Sequence, residues 1–412
     1  MLRLDLWLTL PEGETVLVGE AAFGDADIQG RYLSAFRYHP GWLERPRAFA
    51  LDPAALPLRA EEFQAKQLDA PLMALEDALP DAWGRRLLIL RRGLPRGRQS
   101  EPFLLQAQAG QGLGALGFFA PGQRPQTHDA AASLLDLAAL AEAARQLEAG
   151  APQEPDAACR ALLAAGSSPG GARPKALVRS PDGEWIAKFA SRRDEVDMVG
   201  LEAASLALAR QAGLEPPDFR IETLPGGRRA LLVRRFDLHP AGGRRHMLSL
   251  RALLGAGGHY VLRYADLIAA LRRHGDAPEE DAPRLYRQMV FNALLGNTDD
   301  HLKNFWMLHD ERGWRLSPAF DLLPDTAGQR EHVLLFGLDP TPPGPAGLAE
   351  LGRKWGIPHA AALCAEVREA VQGFGAMARQ AGVPPQEIER FSADIARRCR
   401  DRGGSVTGGR PA

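Results

Sequence analysis

Three observations predict an α+β chain that is strand-rich in its first half and helical in its second. Period-two alternation of apolar residues marks 2–10, and further strand patterns fall at 14–19, 176–179 and 184–189. From 247 to about 400 the apolar residues fall at helical spacing instead. A stretch rich in Pro, Gly and polar residues, 121–132, sets a smaller N-terminal unit apart from both.

The elements follow in order. Leu2 to Leu10 alternates and carries Asp5, so it reads as a strand and not as a signal peptide. Pro11-Glu12-Gly13-Glu14 turns it into the next strand, and Tyr32 to Trp42 adds aromatic material. Helices are expected near 59–66, 70–78 and 81–92, and again at 133–149. Strands at 176–179 and 184–189 follow, then a helix at 195–212 and a strand at 230–236. Helices at 264–273, 281–296, 359–380 and 385–399 complete the chain. The Gly-rich tail, Asp401 to Ala412, is expected to be disordered. The resulting divisions are 1–120, 133–240, 241–400 and 401–412.

Composition narrows the class. The chain has 412 residues, 45% hydrophobic and 25% charged, the balance of a globular protein with more than one core. Its net charge of −1 gives no global field for nucleic acid or an anionic membrane. Cys159, Cys364 and Cys399 have neither metal-ligand spacing nor a disulfide pattern. No apolar run approaches the roughly 18 residues of a bilayer span. A reducing cytoplasm, without membrane contact, is the expected location.

Chemistry concentrates in Asn297-Thr298-Asp299-Asp300-His301-Leu302-Lys303-Asn304, with Asp321 downstream. The helical run before it, Leu285 to Leu295, ends at Gly296 and Asn297. Strands at 304–308 and 314–316, joined by Asp310-Glu311-Arg312-Gly313, form a hairpin that returns Asp321 beside Asp299 and Asn304. Protein kinases place a catalytic base and two magnesium ligands in this order. One carboxylate accepts the proton of an attacking hydroxyl, and the other two oxygens hold the metal that neutralises a transferring phosphate. A capped helix followed by a surface hairpin with scattered acids would read the same way. Upstream, Gly166 to Lys175 is a Gly/Pro-rich phosphate-loop candidate, although alone it also reads as a flexible turn. Lys188 stands in the apolar strand 185–189 and must snorkel or meet a buried anion. Glu202 lies in an almost wholly apolar helix, where it either pairs with Lys188 or faces outward. The order of these parts is that of a bilobed, protein-kinase-like fold.

At this point the chain resembles the HipA family of serine/threonine kinase toxins. The resemblance rests on Gly30-Arg31-Tyr32, Gly41-Trp42-Leu43, Leu56-Pro57-Leu58, Leu79 to Gly84 and Gly114 to Gly117. Further along it rests on Ser168 to Lys175, Arg235-Phe236-Asp237 and Thr298 to Asn304. It implies Asp299 as the catalytic base, and Asn304 and Asp321 as magnesium ligands. It implies that Lys188, paired with Glu202, holds ATP phosphates beside Gly170, Gly171, Ala172 and Lys175. It makes Ser168 an inhibitory autophosphorylation site. It puts Arg234, Arg235 and Phe236 at a hinge that holds adenine, chiefly through backbone groups. The implied activity is an ATP- and magnesium-dependent serine/threonine protein kinase, the toxin of a HipA/HipB-like pair. The implied partners are a helix-turn-helix antitoxin, operator DNA through that antitoxin, a second copy of the chain in that complex, and a protein substrate. Some members modify an aminoacyl-tRNA synthetase. A small-molecule kinase of similar fold and a catalytically silent, antitoxin-binding co-repressor are the alternatives. The chain departs from the family pattern at Asp300, where Gly occurs, at Arg234, where an acid is frequent, and in Ala-Arg-Pro-Lys. Asp300→Asn is accordingly expected to be far milder than Asp299→Asn.

Overall fold

The computed structural model describes residues 1–65, 72–125, 131–150, 155–166 and 172–400. Ser168, Gly170, Gly171 and the 401–412 tail lie outside the described residues.

The N-terminal unit holds β1 (Leu2–Thr9), β2 (Thr15–Phe23), β3 (Ser34–Tyr38), α1 (Pro40–Leu43), β4 (Glu62–Gln64), α2 (Met73–Glu76), α3 (Ala82–Arg92), α4 (Glu101–Gln108) and β5 (Leu116–Phe119). Its sheet runs β4-β3-β2-β1-β5, antiparallel throughout. In β1 the alternation is real: Leu4, Leu6 and Leu8 are buried while the residues between them are not. The expected helix at 59–66 is corrected to the short strand β4. Phe63 pairs with Phe36 across β3 and packs on the core, so edge pairing overrides local helix propensity there.

The second unit has β6 (Ala132–Ser133), α5 (Leu137–Ala149), α6 (Ala157–Ala165), β7 (Lys175–Ser180), β8 (Gly183–Phe189), α7 (Met198–Gln211), β9 (Phe219–Thr223) and β10 (Arg229–Arg234). Its sheet order is β6-β7-β8-β10-β9. One face of this sheet packs on α5, α6 and the Trp83 and Leu87 side chains of α3. The expected strand at 230–236 stops at Arg234, because Arg235 is drawn into a buried ion cluster.

The helical unit comprises β11 (His246–Ser249), α8 (Leu250–Leu253), α9 (Tyr264–His274), α10 (Pro278–Leu295), β12 (Trp306–Asp310), β13 (Gly313–Leu316), α11 (Pro345–Lys354), α12 (Ala360–Gln372), α13 (Phe374–Gln380) and α14 (Pro385–Arg398). α10 starts on Pro278 with Glu279, Glu280 and Asp281 in its first turn, where acids suit the helix dipole. It ends at Gly296 in the left-handed region, φ 81°. The expected helix at 359–380 is two helices broken at Gly373. Buried residues of the N-terminal sheet, α7 and α10 belong to one continuous hydrophobic cluster. The N-terminal unit is therefore built onto the helical unit and shares its core.

Candidate active site

Strand alternation aims β8. Trp185, Ala187 and Phe189 are buried toward α5 and α6, so Ile186 and Lys188 face the opposite side, the cleft between the units. Register sets Lys188 beside Lys175 of β7 and Leu231 of β10. Beneath that face runs α7, nearly all of it buried, Glu202 included. Lys188 Nζ lies 2.5 Å from Glu202 Oε1 and 2.9 Å from Asp321 Oδ1. The outward-facing alternative for Glu202 is thereby corrected: a buried carboxylate needs a cation, and Lys188 is that cation.

These charges tune one another. Burial opposes the Lys188 charge, but Asp321 and Glu202 outweigh it and hold the ammonium above the usual lysine range. Lys188 in turn keeps Asp321 ionised, well below the ordinary carboxylate range. Burial pushes Glu202 up, with Lys188 opposing. Lys175, 8% exposed, is lowered to about 8 by burial and by neighbouring Lys188. Asp321 has φ 55°, a left-handed conformation that carries strain for a side-chain-bearing residue and concentrates at functional sites.

The catalytic-loop candidate descends from the end of α10. A 3-10 turn over Leu302–Asn304 buries Leu302 and turns its neighbours to the cleft. Asn304 Nδ2 donates to the Asp299 carbonyl at 2.7 Å, which leaves its amide oxygen available. Asp299 stands out into the cleft, its side chain 75% exposed, with His301 Nε2 at 3.8 Å. The cleft walls push its carboxyl upward from 3.8, against the pull of His301. Asp300 does the opposite. It is fully buried and accepts from Tyr264 Oη at 2.6 Å, Val333 N at 2.8 Å and Leu334 N at 3.3 Å, with His332 Nδ1 at 2.9 Å. This carboxylate ties α9 and segment 332–334 to the loop, so Asp300→Asn is expected to act on stability, while Asp299→Asn is expected to act on transfer.

The cleft has two compartments that meet at Lys175, Lys188 and Asp321. One is walled by apolar side chains, among them Leu116, Ile186, Val233, Phe236, Met247 and Phe320. The other carries Ala172, Glu202, Thr298, Asp299, Asp325 and Thr326. Val233, Arg234 and Phe236 line the apolar compartment, whereas the guanidinium groups of Arg234 and Arg235 go to protein partners. Arg234 reaches the Asp182 carbonyl and lies over the Trp185 ring. Arg235, 2% exposed, lies between Glu184 and Asp237, each at 2.7 Å. The Arg235 guanidinium is thus part of a buried ion cluster, and the expected adenine contact through backbone groups does not call on it.

Sequence reading missed the contribution of the N-terminal unit. Asp77, Ala78, Leu79, Asp81 and the 113–116 turn line the apolar compartment. That turn is pinned by Gly114 N donating to Asp237 Oδ2 at 2.8 Å and by Arg244 reaching the Gly112 and Gly114 carbonyls. Gly114 has φ 72°, and a Cβ there would meet Met247 at 3.3 Å, so this position takes glycine. The motifs Leu79 to Gly84 and Gly114 to Gly117 carried the signal, but their role was not legible without the fold.

A family model described as HipA-like C-terminal domain matches residues 167–402, and one described as HipA N-terminal domain matches 15–119. The chain belongs to the HipA family. Two relatives in Sinorhizobium fredii (strain NBRC 101917 / NGR234) are similar to it. "Putative kinase Y4mE" is 28% identical over 329 residues, 71% of this chain and 72% of that protein. "Putative kinase Y4dM" is 30% identical over 170 residues, 37% of this chain and only 41% of that protein. The fold is similar to that of HipA in the Shewanella oneidensis MR-1 complex of HipA, HipB and operator DNA. The TM-score is 0.67 at 19% identity, over 96% of each chain. Both HipA domains meet at the cleft: the 15–119 match contains Asp77, Asp81 and the 113–116 turn, and the 167–402 match contains every charged residue opposite them.

Proposed function

We propose that the chain is an ATP- and magnesium-dependent serine/threonine protein kinase, the toxin of a HipA/HipB-like pair. The observation that carries this reading is Lys188 bridging Glu202 and Asp321 at the junction of an apolar and a polar compartment. The apolar compartment suits a flat base, with Phe236 and Phe320 on its wall. The cationic junction suits a polyphosphate. The polar compartment, with Asp299 in it, suits an incoming protein hydroxyl.

The donor set at the junction fits magnesium. Asp321 is held ionised, and Asn304 spends its amide N–H on a backbone carbonyl, so both offer hard oxygen. When bound, the metal neutralises charge on the phosphates. Asp299 accepts the hydroxyl proton as the new O–P bond forms. The bond between the γ-phosphorus and the bridging oxygen breaks, and ADP leaves. Lys188 and Lys175 offset the phosphate charge throughout. Lys175, whose charge is disfavoured by burial and by Lys188, gains an anionic partner from the nucleotide.

The family and the neighbour solved with HipB and operator DNA support a helix-turn-helix antitoxin as partner. The net charge of −1 favours DNA contact through that partner, since phosphate neutralisation dominates such affinity. The proposed self-inhibition rests on Ser168, outside the described residues; mass spectrometry after incubation with Mg-ATP should find one phosphate there. The main test is labelling of cell protein from γ-labelled ATP. Transfer to a serine or threonine, absent in Asp299→Asn, supports the reading. Labelling of small molecules alone would replace it with the small-molecule kinase.

A further inference from the structure

Lys303 is one residue from Asn304 yet has no part in the scheme above. Its backbone is fixed on both sides: the Trp306 indole donates to the Lys303 carbonyl at 2.6 Å, and Leu302 is buried. Its ammonium lies 2.8 Å from Asp81 Oδ1 and lines the apolar compartment with Lys188, Asn304 and Asp321. Asp81 comes from the N-terminal unit, where it occupies the N-cap position of α3 but makes no capping hydrogen bond. Aspartate at that position ordinarily caps, an arrangement worth ~1 kcal/mol. Here the carboxylate is turned to Lys303 instead. The segment that carries Asp81 is itself clamped to the helical unit, because Asp77 accepts from Ser249 N at 2.7 Å and from Ser249 Oγ at 2.9 Å.

We propose that Lys303 contacts the phosphoryl group in transfer, and that Asp81 of the N-terminal unit is the positioning residue that holds it there. The inference rests on the kinase reading and deepens it: the N-terminal HipA domain becomes part of the phosphate site. A point charge aimed where negative charge moves stabilises the transition state more than the ground state. A domain strut with no chemical role would use the same ion pair, but it would affect stability and not phosphate discrimination.

The test compares Mg-ATP and Mg-ADP affinity by calorimetry, transfer rate, and thermal melting of the full chain. Lys303→Met should weaken Mg-ATP about tenfold and leave Mg-ADP within about twofold, a charge-assisted contact to the terminal phosphate being lost. Its transfer rate should fall ~10²-fold. Lys303→Arg should recover part of both. Asp81→Asn should slow transfer ~10-fold alone and add nothing in the Lys303→Met background, as coupled residues do. Unchanged ATP-over-ADP preference and rate in Lys303→Met, with active parent protein, would overturn the inference and leave the kinase reading standing. Independent, multiplying effects of the two substitutions would remove Asp81 from it. A parent chain that neither binds nor consumes Mg-ATP would remove both.

Discussion

Two ion clusters flank strand β10, and they are built alike: one cation between two carboxylates. Lys188 lies between Glu202 and Asp321; Arg235 lies between Glu184 and Asp237. They differ in what is left over. Arg235 and Asp237 are 2% and 4% exposed, and Asp237 also accepts from Gly114 N, so the cluster is saturated. Lys188 is 19% exposed and Asp321 is 39% exposed, both opening on the cleft. The guanidinium offers several fixed donors that a closed site can satisfy, whereas an ammonium is a point charge that can shift to a new anion. The same contrast recurs between neighbours: Asp299 is open and Asp300 is sealed. Charge in this protein is left open to the cleft at one cluster and is closed into the architecture at the other.

Substitutions on the two sides should therefore separate rate from stability. The largest effect is expected at Asp299. Asp299→Asn should lower phosphoryl transfer by ~10²–10⁴, as loss of a general base does, and relieve any growth inhibition. Its melting temperature should stay near that of the parent. A labelling assay and a thermal melt on the same preparation decide it; retained transfer would place the base elsewhere. Transfer by the parent should also fall as pH drops through a carboxyl pKa above 3.8, since a protonated Asp299 cannot accept the hydroxyl proton.

Arg235→Met should show the reverse. Removing one partner of a buried cluster leaves Asp237 and Glu184 uncompensated, at a cost of ~3–5 kcal/mol. Urea unfolding should register that loss, while the folded fraction should transfer at close to the parental rate. A variant as stable as the parent but unable to bind nucleotide would show that the sealed cluster belongs to the site after all. Asp300→Asn should be intermediate. An amide can receive the Val333 and Leu334 N–H groups on its oxygen only if its NH2 meets Tyr264 and His332. One or more mismatched buried donors costs about 1–3 kcal/mol each. A Tyr264→Phe change made with it should recover part of that loss.

How legible was this contrast in sequence? The open side was largely so. Lys188 in an apolar strand and Glu202 in an apolar helix each posed a burial problem that only a partner could solve, and each was the other's partner. Asp299, Asn304 and Asp321 were found by spacing, since a loop and a hairpin fix their separation. The sealed side was not legible. Nothing local distinguishes Asp300 from Asp299, because burial of Asp300 depends on Tyr264 and His332, which arrive from distant segments. The Arg235 cluster was hidden for the same reason: Glu184 is remote in sequence. Short elements failed where tertiary pairing outvotes propensity, as in β4, and where one glycine, Gly373, divides a continuous helical pattern.

The smallest expected effect tests the seam between the two HipA domains. Asp77 belongs to neither cluster, yet burial pushes its carboxyl from 3.8 up to about 7, with the Ser249 backbone N–H and hydroxyl opposing. A folded-state pKa raised above the unfolded one favours folding in the protonated form. That contribution is fully present below about 4 and is lost as pH rises through about 7. The attachment of the N-terminal unit should therefore weaken modestly between those limits. Asp77→Asn cannot ionise, and its amide can still accept from Ser249 N. It should flatten that part of the stability profile and gain on the parent toward pH 7. The measurement is urea unfolding of both proteins at intervals from pH 4 to 8. Parallel profiles would mean that the carboxylate stays charged in the fold, sustained by Lys303. The open kind of charge would then extend across the seam to the N-terminal unit.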